Sequence, residues 1–206
     1  MLNDTGFDLW AENYDRYVAE SNGYPFEGYY DVLDHVYNRI DWDTPGPKIL
    51  DVGFGTGTLT YRLYRNGAKV YGIDFSSKMT EIARRKMPEA HFIEADFSRG
   101  LPDEVKNVKF DFIVSTYALH HLDNEHKVDF IAELKSLLNP GGKIIIGDIA
   151  FKTTSEFEKC RLYYPDGWDE DEIYIVFDEI RSSLLSRGLD CTYTQVSDCA
   201  GVLVIE

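Results

Sequence analysis

The sequence predicts a doubly wound α/β fold, a mostly parallel sheet with helices on both faces. Three features point there. Short apolar runs rich in Val, Ile and Phe alternate with amphipathic stretches of helix length. The stretch ILDVGFGTGTL (49–59) sets Gly53, Gly55 and Gly57 directly after the first of those runs. With 206 residues, 44% of them hydrophobic, the chain suffices for one domain around a single sizeable core.

Taken in order, FDLWAENYDRYVAE and FEGYYDVLDHVYNRI carry apolar and tyrosine residues at helical intervals and read as two helices ahead of the sheet. KILDV (48–52), AKVYGI (68–73), AHFIEA (90–95), FDFIVS (110–115) and GKIIIGDI (142–149) read as strands buried on both faces. Between them, SSKMTEIARRKM has Ser76 or Ser77 as N-cap, Met79, Ile82, Ala83 and Met87 along one face, and Pro88 as stop. NEHKVDFIAELKSLLNPGG puts Ile131, Leu134 and Leu138 at helical spacing, with Pro140-Gly141-Gly142 ending the helix. Strand followed by helix, repeated, predicts βαβ crossovers and a doubly wound sheet. Beyond residue 150, SEFEKCRLYY and DEDEIYIVFDEIRSSLLSRG read as helices, and DCTYTQV and GVLVIE as a closing pair of strands. A single domain then comprises a helical cover (1–44), a binding core (45–150), a variable helical cover (151–189) and closing strands (190–206).

Formal net charge is −15, so a phosphate backbone or an anionic membrane surface would be repelled over most of the molecule. The N-terminal residues lack a basic start followed by an apolar run, and no stretch approaches the roughly 18 apolar residues needed to span a bilayer. We expect a soluble cytoplasmic protein without nucleic-acid or membrane partners. Cys160, Cys191 and Cys199 show no metal-ligand spacing, and their odd count argues against a disulfide framework and fits a reducing compartment.

A glycine turn between a first strand and a first helix serves two ligand classes. Dinucleotide sites use G-x-G-x-x-G, whereas Thr58 holds the sixth position here. Asp51 places a carboxylate where a pyrophosphate would meet negative charge, but a ligand carrying an ammonium and a sulfonium would be attracted. Alternatively Asp51 accepts from the loop's own amides and braces the turn. Asp74, ending YGID, can accept from both hydroxyls of a ribose, a feature NAD enzymes share. Asp96 in EADFS can accept from an adenine amino group while the Phe97 amide reaches a ring nitrogen, and Phe75 and Met79 can sandwich the base. Core packing for Phe75 and Met79, and a capping role for Asp96, are the alternatives.

ILDVGFGTGTLT, Asp74 after VYGI, ADF at 95–97 and NPGGKIII at 139–146 resemble, in order and spacing, the motifs of class I S-adenosylmethionine-dependent methyltransferases, over roughly residues 7–150. More narrowly, WAENYD, VSTYALHHL and GKIIIGDIAF resemble the YrrT-type methyltransferases. The resemblance implies a Rossmann-like seven-stranded sheet with the last strand antiparallel, S-adenosylmethionine as cofactor and S-adenosylhomocysteine as product. It implies that Gly53 and Gly55 lie against the methionine and ribose parts, that Asp51 reaches the amino group through water, and that Thr116 offers its carbonyl to the ammonium. Tyr14 would close over the methionine tail. His121 would face the acceptor as its base, with Tyr117 orienting it. No metal is expected: His120, His121, Asp123 and His126 carry ligand chemistry, but adjacent histidines on a strand-to-helix connection rarely point at one ion. The many rings at Tyr14, Tyr17, Tyr24, Phe26, Tyr29, Tyr30, Tyr163, Tyr164 and Trp168 suggest a small, partly apolar acceptor under a cover. A nicotinamide-dependent oxidoreductase and a cofactor-binding module without turnover are the alternatives.

Overall fold

The computed structural model describes residues 15–21 and 23–206, so Tyr14 lies outside the described residues. A helical stretch at 15–20 precedes α1 (Tyr29–Tyr37), which buries Val32, Leu33 and Val36. The alternation then follows as β1 (Lys48–Val52), α2 (Thr58–Arg65), β2 (Lys69–Asp74), α3 (Ser77–Lys86), β3 (His91–Glu94), the short α4 (Asp103–Lys106), β4 (Phe110–Thr116), α5 (Asn124–Ser136) and β5 (Leu138–Phe151). After it come α6 (Thr154–Tyr163), β6 (Ile175–Val176), α7 (Phe177–Ser186), β7 (Cys191–Gln195) and β8 (Ala200–Ile205).

The sheet runs β3-β2-β1-β4-β5-β8-β7. Strands β1 to β5 pair in parallel, and β8 runs antiparallel to both β5 and β7. This is the α/β sheet expected, with the two-residue β6 added alongside the end of β5. The order reverses at β1, whose neighbours β2 and β4 lead outward in opposite directions. Connections leaving the carboxyl ends of such strands part around a crevice.

Strand alternation divides the core. Ile144 and Ile146 of β5 pack with Leu50, Ile113 and Ile131 on one side of the sheet, whereas Ile145 packs with Ile49, Leu33 and Leu63 on the other. Both faces are therefore apolar, which is why these strands read as continuous hydrophobic runs. Helix starts follow their caps: Ser76 Oγ accepts from Met79 N at 3.2 Å ahead of α3, and Asp123 Oδ1 from His126 N at 2.9 Å ahead of α5.

The structure departs from the sequence reading in three places. Helix α5 ends at Ser136, and Leu138 already opens β5, because Phe110 N donates to Leu137 O and draws the chain into the sheet. The stretch 169–176 is not the start of a helix: Tyr174, Ile175 and Val176 are buried in succession, with β6 against Ala150 and Phe151, and helix begins at Phe177. A run of adjacent buried apolar residues has no polar face to offer as a surface helix and suits a strand. Finally, Cys160 of α6 and Cys199 before β8 form a disulfide with Cα atoms 6.3 Å apart, leaving Cys191 as a buried thiol. An odd count excludes a fully paired framework but not a single bridge between residues that the fold brings together. Among the described residues, no helix is long and apolar enough to cross a membrane.

Candidate active site

A cleft opens at the carboxyl ends of β1, β2 and β4. Gly53, Gly55, Asp74, Phe75, Met79, Phe97, Thr116, Tyr117 and His121 all line it, although they are spread over some seventy residues of sequence. Tyr29 of α1 contributes a further wall.

The glycine loop serves two separate purposes. Gly53 has φ +72°, and a Cβ there would overlap that of Ala118, so this glycine lets the β1 and β4 loops approach. Gly55 has φ +55° and would meet nothing within 4 Å, so its bare backbone faces open space at the cleft. Asp74 holds this loop in place. Its Oδ2 accepts from Gly55 N at 2.8 Å and its Oδ1 from Ser76 N at 2.9 Å, which aims the carboxylate at the loop.

Asp51 and Asp96 do not line the cleft. The Asp51 carboxylate is buried and accepts from the Thr60 hydroxyl at 2.7 Å, while its other oxygen has no partner among the described residues. Burial pushes this carboxyl up to about 7 against the Thr60 hydrogen bond, and the nearby Asp74 charge adds to the rise. It braces α2 rather than the loop's amides. Asp96 caps the 3₁₀ turn Phe97–Arg99, accepting from Ser98 N at 3.0 Å and Ser98 Oγ at 2.6 Å, with Arg99 Nε 3.0 Å away. Phe97 is buried and stacks on Phe130 at 5.4 Å between centroids.

Past β4 the backbone turns sharply. Tyr117 has φ +51°, the only non-glycine residue so placed among those described, and its N–H donates to Gly147 O at 2.9 Å. Its ring lies 4.8 Å from that of Tyr29, and its buried hydroxyl has no partner among the described residues. Burial, with the Asp148 charge second, raises its pKa well above the ordinary tyrosine value, so Tyr117 remains a donor.

The neighbouring 3₁₀ turn Leu119–His121 sends its two histidines into different environments. His121 reaches the cleft; burial, with His120 second, pushes its pKa down to about 3, which leaves a neutral imidazole. His120 is buried, with Nδ1 2.6 Å from Asp148 Oδ1. Burial opposes its charge, but Asp148 and then Glu172 outweigh burial and raise its pKa. Asp148 also accepts from Leu119 N at 2.9 Å and Ile149 N at 2.8 Å. The turn is tied to the segment before β6: Ile173 N donates to His120 O at 2.9 Å, and the buried Lys127 ammonium donates to Leu122 O and, at 2.6 Å, to Ile173 O. Burial lowers the Lys127 pKa to about 8.

These ties bring Glu172 beside the histidines. His120, His121 and Glu172 each offer a ligand atom, all within 4.8 Å of one another. His126 instead pairs with Asp123 at 2.6 Å on the surface. Sequence reading thus passed over Asp148, Lys127 and Glu172. A carboxylate within the apolar run IIIGDIAF was the available signal for Asp148, whereas nothing in spacing joins Glu172 to His120.

Of the rings, Tyr24 stacks on Trp168 at 4.9 Å and on Tyr164 at 5.8 Å, and Trp168 meets Tyr174 edge-on at 5.0 Å, forming a packed cover. Tyr163, 76% exposed, meets Tyr164 edge-on at 4.8 Å.

Comparison with known proteins agrees with this geometry. Residues 49–142 match a family model described as a methyltransferase domain. An uncharacterized methyltransferase of Bacillus cytotoxicus is 36% identical over 208 residues, covering 96% of this chain and 94% of that protein. One of Bacillus anthracis is 41% identical with the same coverage. Among solved structures, DhpI with bound SAH aligns with a TM-score of 0.70 at 17% identity, covering 98% of this chain and 94% of that one. The SAH-bound magnesium protoporphyrin IX methyltransferase of Synechocystis aligns at 0.68 and 22%, covering 98% and 99%. At these identities the two structures establish the shared fold.

Proposed function

This chain belongs to the class I S-adenosylmethionine-dependent methyltransferases, and from that premise we propose that it methylates a small, partly apolar acceptor bound in the cleft beside His121 and Tyr117. The observation carrying this reading is convergence: residues suited to the cofactor and residues suited to an acceptor line one cleft. The cofactor fits its proposed half. Gly55 leaves open backbone, Asp74 lines the cleft with a carboxylate bound to the loop amides, and Phe75 and Met79 supply apolar faces for a base.

In this reading Asp74 holds the ribose hydroxyls, Phe75 and Met79 flank the adenine, and Thr116 presents its carbonyl to the ammonium. Asp51 acts on that ammonium at longer range, through its charge. Asp96 turns toward the adenine by giving up Arg99, an exchange that costs little because this ion pair is solvent-exposed. Tyr14 keeps its expected role as a closing side chain.

When bound, S-adenosylmethionine supplies an electrophilic methyl group for in-line displacement, so the protein's task is positioning and proton removal. The Tyr117 hydroxyl, held protonated, donates a hydrogen bond that orients the acceptor. The His121 imidazole, neutral at physiological pH, is the side chain placed to take the proton an alcohol, amine or thiol must lose, and its pKa of about 3 makes it a weak base for that step.

Release of S-adenosylhomocysteine from the cofactor, measured across small alcohols, amines, thiols and phenols, tests the proposal. His121→Ala should lose turnover on the best acceptor while binding S-adenosylhomocysteine as wild type does. An equal rate in that variant removes the base. Methylation of a protein or nucleic acid but of no small molecule overturns the acceptor class.

A further inference from the structure

His120, His121 and Glu172 come from two stretches of chain about fifty residues apart, yet their ligand atoms all lie within 4.8 Å of one another, near enough to share one ion. Of the three, His121 lines the cleft. His120 Nδ1 lies 2.6 Å from Asp148 Oδ1, which leaves Nε2 as the ring atom directed at Glu172 Oε1, 3.6 Å away. A divalent cation there would displace the Nε2 proton and take its place between nitrogen and carboxylate. The separation exceeds hydrogen-bond length. It is close to the roughly 3.3 Å between neighbouring ligands that each stand about 2.0–2.1 Å from a tetrahedral zinc ion.

The surroundings are those of a supported site. Asp148 orients His120, and the other Glu172 oxygen accepts from the Tyr174 hydroxyl at 2.9 Å, so two of the three ligands have their own hydrogen-bonded partner. Asp148 and Glu172 bring two carboxylates to the His120 ring, with the Lys127 ammonium nearby. His120 is 8% and Glu172 18% exposed, which shields the group from bulk water without sealing it.

We propose that His120, His121 and Glu172 form a binding site for a divalent transition-metal ion of the zinc type, with Asp148 as the positioning residue for His120. Three protein ligands leave a fourth tetrahedral position for water or a ligand in the cleft. The ion takes the imidazole lone pair that His121 would use to accept a proton, so occupancy and that role exclude each other. Metal loading therefore controls the acceptor end of the cleft.

The test uses the full chain, stripped with chelator and titrated with Co²⁺, then Zn²⁺. One equivalent of Co²⁺ should give the visible absorption of a tetrahedral site, and Zn²⁺ should displace it. Glu172→Gln and His120→Ala should abolish that absorption, Asp148→Asn should weaken binding by about 10–100-fold, and His126→Ala should leave it unchanged. Absence of the stoichiometric band overturns the proposal, as does wild-type affinity in Glu172→Gln. Should His120→Ala fail to fold, Glu172→Gln still decides the matter, its fold being checked by titration with S-adenosylhomocysteine. That titration is a separate readout: metal binding can fail while cofactor binding, and with it the methyltransferase reading, stands.

Discussion

Asp74→Asn separates what Asp74 does for the loop from what it does for the ligand. The carboxylate accepts from Gly55 N at 2.8 Å and Ser76 N at 2.9 Å through different oxygens. An asparagine keeps one acceptor oxygen and turns an NH₂ toward the other amide, leaving one N–H without its partner. That costs about 1–3 kcal/mol of stability, which denaturant unfolding will register. A ribose hydroxyl that donated to a charged acceptor then meets a neutral or donating one. The added loss of roughly 1–3 kcal/mol corresponds to about 5–150-fold in Kd. Calorimetric titration with S-adenosylhomocysteine, at a temperature where the variant is fully folded, measures the second effect apart from the first. A variant that loses stability yet binds with wild-type affinity refutes the ribose role and leaves Asp74 as a loop brace alone.

Gly53→Ala and Gly55→Ala should differ in kind. Both pay roughly 1–2 kcal/mol for a left-handed backbone, but only Gly53→Ala also overlaps Ala118, so it should melt at lower temperature while Gly55→Ala chiefly loses cofactor affinity; equal melting temperatures contradict this. Asp51, with its pKa near 7, is partly protonated at neutral pH, and a ligand ammonium should draw that proton off. Titrations at pH 7 in buffers of different ionisation enthalpy should show proton release in wild type and none from this group in Asp51→Asn. For His121 the folded pKa, about 3, lies below the unfolded value of about 6.5, so the unfolded chain binds the extra proton between them. Its contribution to stability is complete above pH 6.5 and declines as pH falls toward 3; a His121→Gln variant should show a shallower acid loss than wild type.

The parallel core was legible because its central strands β1, β4 and β5 are buried on two faces and helices α3 and α5 start at side-chain caps and bury one side, signals contained within ten or so residues. The glycine loop, Asp74 and the pair Phe75 and Met79 were legible for the same reason, since a strand end and the following helix start fix where they point. Asp51 was harder to read. Spacing locates its Cα beneath the loop, but only packing shows that its carboxylate turns to Thr60. His120 and His121 illustrate the limit: adjacent in sequence, one faces the cleft and the other Asp148, and that division depends on a 3₁₀ turn held by residues 148 and 173. Glu172 lies in a segment whose apolar run satisfies helical and extended patterns alike until β5 offers it an edge. Membership of the methyltransferase family also sets aside the nicotinamide-dependent alternative, which the glycine loop alone had left open.

The position of β8 has a consequence for how the chain folds. β8 lies between β5 and β7 but follows both in sequence, so β5 keeps an unpaired edge through the making of every earlier strand. That edge carries Ile144, Ile145 and Ile146, a β-prone apolar run with no proline inside it. The pairing that covers it joins residues nearly sixty positions apart, a slow closure by contact-order reasoning. During that interval the chain competes with other chains for its own most adhesive strand, and its yield of native protein depends on how soon β8 arrives.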